Sequence, residues 1–480
     1  MPTSTKSPPR YDVVVIGAGP NGLSAAIELA RSQLSVLVLE AHAAPGGGAR
    51  TEGLTLPGYL HDVCSTVYPL GVASPFFRTL ALERYGLSWA ESPAPLAHLL
   101  DDGTVLTLER SIKDTAAQLG SDRREYVELL EPLVERFEIL LEMVLGPLRF
   151  PKSPLLLARF GLSALASMKS LAARRFREPA TSALFAGMAA HAMLPLDATA
   201  TASFALILAS AGHLVGWPIA VGGSRSITQA LVACLHEFGG ELRCDAPVRS
   251  FSELPPARAY VFDLTPRQLL EIGANELPAG YRSRLQRFRY GPGVYKMDWA
   301  LREPIPWKNA VCRRACTVHL SGTLEQIHAS EAAVHAGSVS ERPFTLVVQP
   351  SLFDASRAPA GGHVAWAYCH VPHGSTLDVS GLIESHIERF APGFRDVVLA
   401  RATRNALEMQ AYNANYIGGD INGGQADISQ LFFRPTAKLD PYATANPRIF
   451  ICSSSTPPGG GVHGMCGYWA AQSVKRRILG

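Results

Sequence analysis

Eight cysteines are scattered through 480 residues, and none forms a Cys-x-x-Cys pair. Cys312 and Cys316 stand one helical turn apart, but no histidine or further cysteine completes metal-ligand spacing. Reduced thiols are therefore expected, not a disulfide framework or a zinc site. No Ser/His/Asp arrangement and no cluster of metal ligands stands out. Charge of one sign is missing too: 44 Lys and Arg face 41 Asp and Glu, a net +3, which argues against nucleic acid as the main partner. Residues 198–224 carry no Asp, Glu, Lys or Arg. Their apolar run is broken by His213, Pro218 and several Ser and Thr, which excludes a confident spanning helix; a buried helix lining an apolar tunnel fits better and suits a hydrophobic substrate. The chain is too long for one compact core and suits two intertwined domains. Its first residues, 1–10 (MPTSTKSPPR), form a polar lead expected to be disordered.

Residues 11–50 say the most about what is present. An apolar run ends on Gly17-Ala18-Gly19-Pro20-Asn21-Gly22, a helical pattern follows, and a second strand at 35–39 closes on Glu40. Gly17 permits the tight strand-to-helix turn, Gly19 lets the backbone approach a pyrophosphate, and Gly22 lets the helix lie on the sheet. The free N–H groups and the dipole of that helix start favour negative charge. Glu40, about 20 residues on, is placed to accept hydrogen bonds from ribose hydroxyls and would repel a 2′-phosphate. A bare G-x-G-x-x-G could be a structural βα turn. With the strand, the helix and the acid all in place, dinucleotide binding is the reading.

Two further glycine turns accompany it. Gly46-Gly47-Gly48-Ala49-Arg50-Thr51 offers backbone amides and a guanidinium to phosphate. At the far end, 448–452 reads as a buried strand, and Ser453-Ser454-Ser455-Thr456-Pro457-Pro458 leads through Gly459, Gly460, Gly461, Val462, His463 and Gly464 into a helix. In the middle, 218–224 precedes a helix at 227–238, then Gly239-Gly240-Glu241-Leu242-Arg243 and Pro247-Val248.

These segments together resemble the flavoproteins of the amine oxidase and phytoene desaturase superfamily, and the resemblance touches both termini and the middle of the chain. It implies FAD as cofactor. Gly47 and Arg50 match the second glycine motif of that group. Thr456, Pro458, Gly459, Gly461 and Gly464 match the T-x-P-G-x-G turn of the C-terminal flavin motif, whose helix start would stabilise negative charge on the reduced ring. Val248 matches the valine of a strand that meets the adenine through its backbone. Three serines at 453–455 stand where other flavin oxidoreductases often carry an Asp, which favours the desaturase branch, a phytoene dehydrogenase-like enzyme. The expected fold is α/β, a Rossmann-like discontinuous FAD-binding domain with a second α+β substrate domain. The FAD-binding parts are 11–90, 212–290 and 439–480; the substrate domain takes 91–211 and 291–438.

On the substrate side, strands are expected at 292–301 and 344–349, and helices at 377–390 and near 122–145. Residues 151–177 mix Lys152, Arg159, Lys169, Arg174, Arg175 and Arg177 with leucines and contain no acid. An interfacial helix in peripheral membrane contact and an ordinary amphipathic helix both fit. Lys296 resembles the lysine of amine oxidases that reaches the flavin through a water; an exposed Lys296–Asp298 pair on a sheet surface is the alternative. His463 could act on the ring as acid or base, or only cap the helix. The loop of Tyr412, Asn413, Asn415, Tyr416 and 418–424, with Asp420 and Asn422, either closes over the site or is a turn cluster.

The expected activity is FAD-dependent oxidation, by dehydrogenation or a related change, of a lipophilic polyene or isoprenoid small molecule in the cytoplasm or at a membrane. Rival readings are an amine oxidase-like flavoprotein, disfavoured by the lack of a clear aromatic pair near the C-terminal motif despite Tyr468 and Trp469, and a flavin-bearing binding protein without turnover.

Overall fold

The computed structural model describes residues 11–320 and 322–479; the polar lead at 1–10 lies outside them. In chain order, the first elements are β1 (Tyr11–Ile16), α1 (Pro20–Ala30), β2 (Val36–Leu39), β3 (Ala94–Leu99) and β4 (Val105–Leu108). A helical stretch follows: α2 (Arg123–Val134), α3 (Phe137–Val144), α4 (Pro154–Ala164), α5 (Met168–Arg175), α6 (Pro179–Ala189), α7 (Thr201–Val215) and α8 (Arg225–Glu237). Then come β5 (Glu241–Arg243), β6 (Ala257–Phe262), β7 (Gly293–Leu301), β8 (Ala315–Leu320), β9 (Thr345–Val348) and β10 (His363–Val371). The last are α9 (Ser380–Phe390), β11 (Val398–Arg404), β12 (Ile449–Ile451) and α10 (Met465–Ile478).

Five strands form a parallel sheet in the order β12-β6-β1-β2-β5. The inner runs are short and mostly apolar, as strands covered on both faces require, while the edge strand β5 (Glu241-Leu242-Arg243) is largely exposed. Alternation along β1 and β2 sends Val13, Val15, Val36 and Val38 into one core, with α1, α8 and α10. Val14, Ile16, Leu37 and Leu39 enter another, with Tyr260, Phe262 and Leu269. Each fully buried side chain of this size contributes about 1.5–3 kcal/mol. The chain is therefore α/β with a Rossmann-like sheet whose strands come from three separated stretches.

The second sheet has seven strands in the order β11-β7-β10-β9-β8-β3-β4 and is antiparallel except where β8 runs beside β3. The helical stretch shares one continuous core with α1 and α10. That core also takes in Val13 and Val38 of the first sheet and Leu96 and Leu106 of the second, and α7 contributes Ala205, Leu206 and Ala209 to it.

Three expected elements differ. The helix near 122–145 breaks at Arg136, whose φ of −123° and ψ of 24° leave the helical region. The helix at 377–390 starts only at Ser380, because the Asp378 carboxylate accepts the Ser380 N–H at 2.9 Å and the Tyr295 hydroxyl at 2.7 Å. Residues 151–177 form two helices, α4 and α5, bent by 96°, and among the described residues no single helix is long and apolar enough to cross a membrane.

Candidate functional site

At the end of β1, Gly17 turns the chain with φ +101° while its N–H donates to the Leu39 carbonyl at 2.8 Å. A side chain at Gly22 would strike the Gly17 carbonyl, and one at Gly467 would strike that of Asn21, so α1 can lie close on both the loop and α10. Gly19 caps α1 without a side chain and Pro20 occupies its first turn, while the Gly22 N–H of that turn donates to the Asp263 carboxylate.

Glu40 is buried at the end of β2. One carboxylate oxygen accepts the Ala18 N–H at 2.9 Å; the other accepts the His42 N–H at 3.0 Å and Arg50 Nη2 at 3.2 Å. Gly46 (φ +134°) donates to the Ala18 carbonyl at 2.9 Å, which brings the second glycine turn, Gly46–Arg50, beside the first. Arg50 Nε and Asn21 Oδ1 are buried without a hydrogen-bond partner among the described residues. Such atoms cost about 1–3 kcal/mol each unless something meets them.

From the opposite end of the chain, β12 delivers Cys452 and Ser453 beside β6, and the turn at 457–463 then runs into α10. Gly460, Gly461 and Val462 face the same cavity as Gly19, Gly47 and Gly48. Gly459 does not; its carbonyl accepts from Cys466 Sγ at 3.4 Å, and a side chain there would press on the Arg434 guanidinium. His463 reaches the cavity, but its Nδ1 accepts the Met465 N–H at 3.1 Å, and burial pushes the ring down to about 4. It is neutral at neutral pH and caps α10.

The cavity has a volume of about 1320 Å³ and runs without interruption from these glycine turns to an apolar end. Its far walls are Met143–Leu145 at the end of α3, one side of α4, and Phe204, Ile207 and Leu208 of α7. The seven-stranded sheet supplies Thr317, Leu346, Val348, Trp366 and Tyr368, and His191 stands at its edge. Trp366 and Tyr368 stack at 5.8 Å with 14° between their planes, and Trp366 Nε1 is anchored on Thr66 Oγ1 at 2.8 Å. Among the lining residues one carries a carboxylate, Asp263, and one a guanidinium, Arg149.

The structure separates the sequence-derived candidates. Lys296 does not line the cavity. Strand alternation puts it on the face of β7 shared with Asp298, but both are buried (2% and 4% exposed), correcting the exposed pair. Its Nζ donates to Asp298 Oδ1 at 2.5 Å and lies 4.9 Å from the centre of the ring of Trp366, a cavity-lining residue. Burial pushes the Asp298 carboxyl up and the neighbouring His61 down to about 3. Val248 lies in no strand: the chain leaves the sheet after Arg243, Asp245 takes φ +51°, and Val248 packs against the core of Phe251 and Tyr260. Asn413, Asn415, Tyr416 and Asn422 line the cavity, while Asp420 accepts the N–H groups of Asn422 and Gly424 in its own turn and that of Gly291 ahead of β7. Tyr468 and Trp469 turn away, against Phe76 and the Leu145 carbonyl.

Sequence reasoning missed Asp263 and the pair Trp366 and Tyr368. Asp263 follows β6, and its Oδ2 accepts the Gly22 N–H at 2.9 Å across a separation of 241 residues. The one signal was position, an acid directly after a buried strand; the aromatic pair had strand alternation in 363–371.

A family model described as an NAD(P)-binding Rossmann-like domain matches residues 15–80. The "pyridine nucleotide-disulfide oxidoreductase domain-containing protein 2" of Rattus norvegicus is 26% identical, over 98% of this chain and 94% of that protein. The all-trans-zeta-carotene desaturase of Myxococcus xanthus is 47% identical over 114 residues, 22% of this chain and 21% of that protein. Among solved structures, an oxidoreductase from Methanosarcina mazei has TM-score 0.65 at 15% identity, covering 97% of this chain and 99% of that one. Cyclohexylamine oxidase from Brevibacterium oxydans has TM-score 0.61 at 16% identity, covering 98% and 100%. At such identities the likeness is one of fold. Residues 15–80 thus match a Rossmann-like domain model, and over nearly its whole length the chain shares its fold with these two solved structures.

Proposed function

We propose that the chain binds FAD and dehydrogenates a lipophilic small molecule of polyene or isoprenoid type. One observation carries the reading: a single cavity joins the glycine turns to an apolar chamber with almost no charge on its walls. The residues present fit the cofactor. Arg50 Nε and Asn21 Oδ1 are buried with no hydrogen-bond partner among the described residues, Gly19 brings backbone without a side chain to the start of α1, and Glu40 stands at the end of β2 where a ribose belongs. Gly19, Gly47 and Glu40 would hold the adenosine diphosphate part, and Gly460, Gly461 and Val462 the ring.

When bound, the flavin supplies the acceptor for a hydride equivalent. The protein's own work is to orient the substrate and exclude water. Trp366 and Tyr368 offer a flat apolar surface to a conjugated chain, and the α3, α4 and α7 side chains enclose its remainder. The cavity histidines hold no proton to give at neutral pH, since burial brings His191 down to about 3 and His463 to about 4. The partial match to a zeta-carotene desaturase supports this substrate class.

The same aromatic pair favours one other reading, oxidation of an amine, as the shared fold with cyclohexylamine oxidase does. Against it, the one carboxylate in the cavity, Asp263, is engaged at the glycine loop and not beside the aromatic pair. The test is anaerobic mixing of the yellow holoprotein with a polyene or with an amine. Bleaching by the polyene alone supports the proposal; bleaching by the amine alone transfers it to the second reading; bleaching by neither, across a lipid and amine panel, leaves a binding protein without turnover.

Leu148 and Leu162, which line the cavity, are exposed, as are Phe150 and Leu155 near them in the chain, with Arg149, Lys152 and Arg159 interspersed. An apolar rim with cationic neighbours fits the interface of an anionic bilayer, from which a lipophilic substrate would pass directly into the chamber.

A further inference from the structure

The carboxyl of Asp263 stands at the first turn of α1, a helix end that favours phosphate. Its Oδ2 accepts the Gly22 N–H at 2.9 Å, and it lies only 2.7 Å from where a side chain on Gly19 would begin. It lines the cavity together with Gly19, Pro20 and Gly47, and it is 7% exposed. Charges that would steady an anion there are scarce. The titratable groups that act on it are Glu40 from the end of β2, Cys452 after β12 and Cys466 on α10, and none is a cation. The backbone of the same residue is held by Asn415, whose Nδ2 donates to the Asp263 carbonyl at 2.9 Å. Arg50, the cation of the neighbouring glycine turn, is already paired with Glu40.

We propose that Asp263 contacts the FAD pyrophosphate as the neutral acid, donating a hydrogen bond to a phosphate oxygen while still accepting the Gly22 N–H. An ionised Asp263 would set a third negative charge beside the two phosphates in a poorly solvated site, with Glu40 close behind. Burial holds the carboxyl well above the usual carboxylate range before any cofactor arrives, and the phosphates push it further the same way. Binding of the pyrophosphate is then linked to one proton on Asp263: affinity is full below the carboxyl's value in the empty site and falls as the pH rises through the value in the loaded site. The inference rests on FAD being the dinucleotide.

The experiment is release of FAD from the holoprotein, followed by the fluorescence of free flavin, from pH 5.5 to 9 at constant ionic strength. For the native chain the dissociation constant should rise by up to tenfold per pH unit over part of this range and by at least tenfold in total. Asp263→Asn keeps an oxygen for the Gly22 N–H and a permanent donor for the phosphate, so its dissociation constant should vary less than threefold. A native series that is flat with pH, or an Asn variant that keeps the native slope, overturns the proposal. Should Asp263→Asn fail to fold, judged by its melting curve, the native series decides alone. A native chain that takes up no FAD at any pH refutes the cofactor reading itself, and the inference falls with it.

Discussion

Lys296 and Asp298 are a buried ion pair on β7, and the physical cost of such a pair decides what each variant should do. Removing one partner strands the other in a poorly solvated site, at about 3–5 kcal/mol, whereas replacing both by apolar residues of similar size is often close to neutral. Lys296→Met should therefore lower the unfolding free energy by about 3 kcal/mol, and Lys296→Met with Asp298→Leu should recover most of it, as read by chemical denaturation. A Lys296→Met protein of native stability whose reduced flavin no longer reacts with oxygen would return the lysine to the chemistry. Glu40 is the second residue to test. Its loss leaves the Ala18 N–H and the Arg50 guanidinium without their partner, so Glu40→Ala should be isolated with less than a tenth of the native flavin absorbance, and Gly19→Val likewise; a full yellow spectrum in either would refute the assignment. Glu40 and the glycine loops were legible in the sequence because their partners are local: Ala18 and Arg50 lie within 22 residues of Glu40. Asp263 was not, since its partner Gly22 stands 241 residues away. Strand alternation also gave the face that Lys296 shares with Asp298, but not that this face is buried, which neighbouring strands decide.

At the scale of elements, the bent pair α4 and α5 shows how one amphipathic sequence splits its duties. Leu156, Phe160, Met168 and Leu171 are buried in the helical core, while Leu155 is 85% and Leu162 82% exposed, and Phe150 just before α4 is 90% exposed. The periodicity of 151–177 was plain in the sequence. The 96° bend at the break before Met168 was not, because it follows from the packing of both helices on α7. The exposed leucines cannot be contributing core stability, so Leu155→Ser with Leu162→Ser should leave the melting temperature within about 2 °C of the native value. If they enter a bilayer, each loses about 1.5–3 kcal/mol of apolar burial, and binding to vesicles of mixed anionic and zwitterionic lipid should weaken by at least about a hundredfold in a flotation assay. Equal binding by the variant and native chains would assign this rim to the protein's own packing and remove the membrane from the proposed route of the substrate. The test belongs to the element, since neither leucine alone defines the mouth.

For the whole molecule, acid offers the sharpest test, because two populations of buried groups respond with opposite signs. Burial holds His61 and His191 near 3, and His98, His213, His386 and His463 near 4, with His319 also well below its ordinary value. An unfolded chain protonates each of them at about 6.5, so between pH 6.5 and 4 the unfolded state binds more protons and stability falls with pH. For a group held near 4, such as His463, the loss amounts to about 3 kcal/mol. Three of these rings stand together, and one of them, His191, lines the cavity: His191 and His319 have their Nε2 atoms 3.3 Å apart, and His98 lies edge-on to His319, so protonating one opposes protonation of the next. The buried carboxyls of Asp263, Asp298 and Asp420 are held above their ordinary range. They keep protons in the folded state that the unfolded chain has already lost, so they stabilise the fold as pH falls through their folded values and offset part of the histidine effect. The histidines are the larger group, and they should win. Stability is expected to be level from pH 8 to about 6.5, then to fall steeply to about pH 4, with a slope near pH 5 equal to a net uptake of at least three protons on unfolding. Urea titrations at half-unit pH steps read that slope; an uptake of one proton or fewer would mean that the histidine cluster reaches solvent and that the chamber behind it is wet.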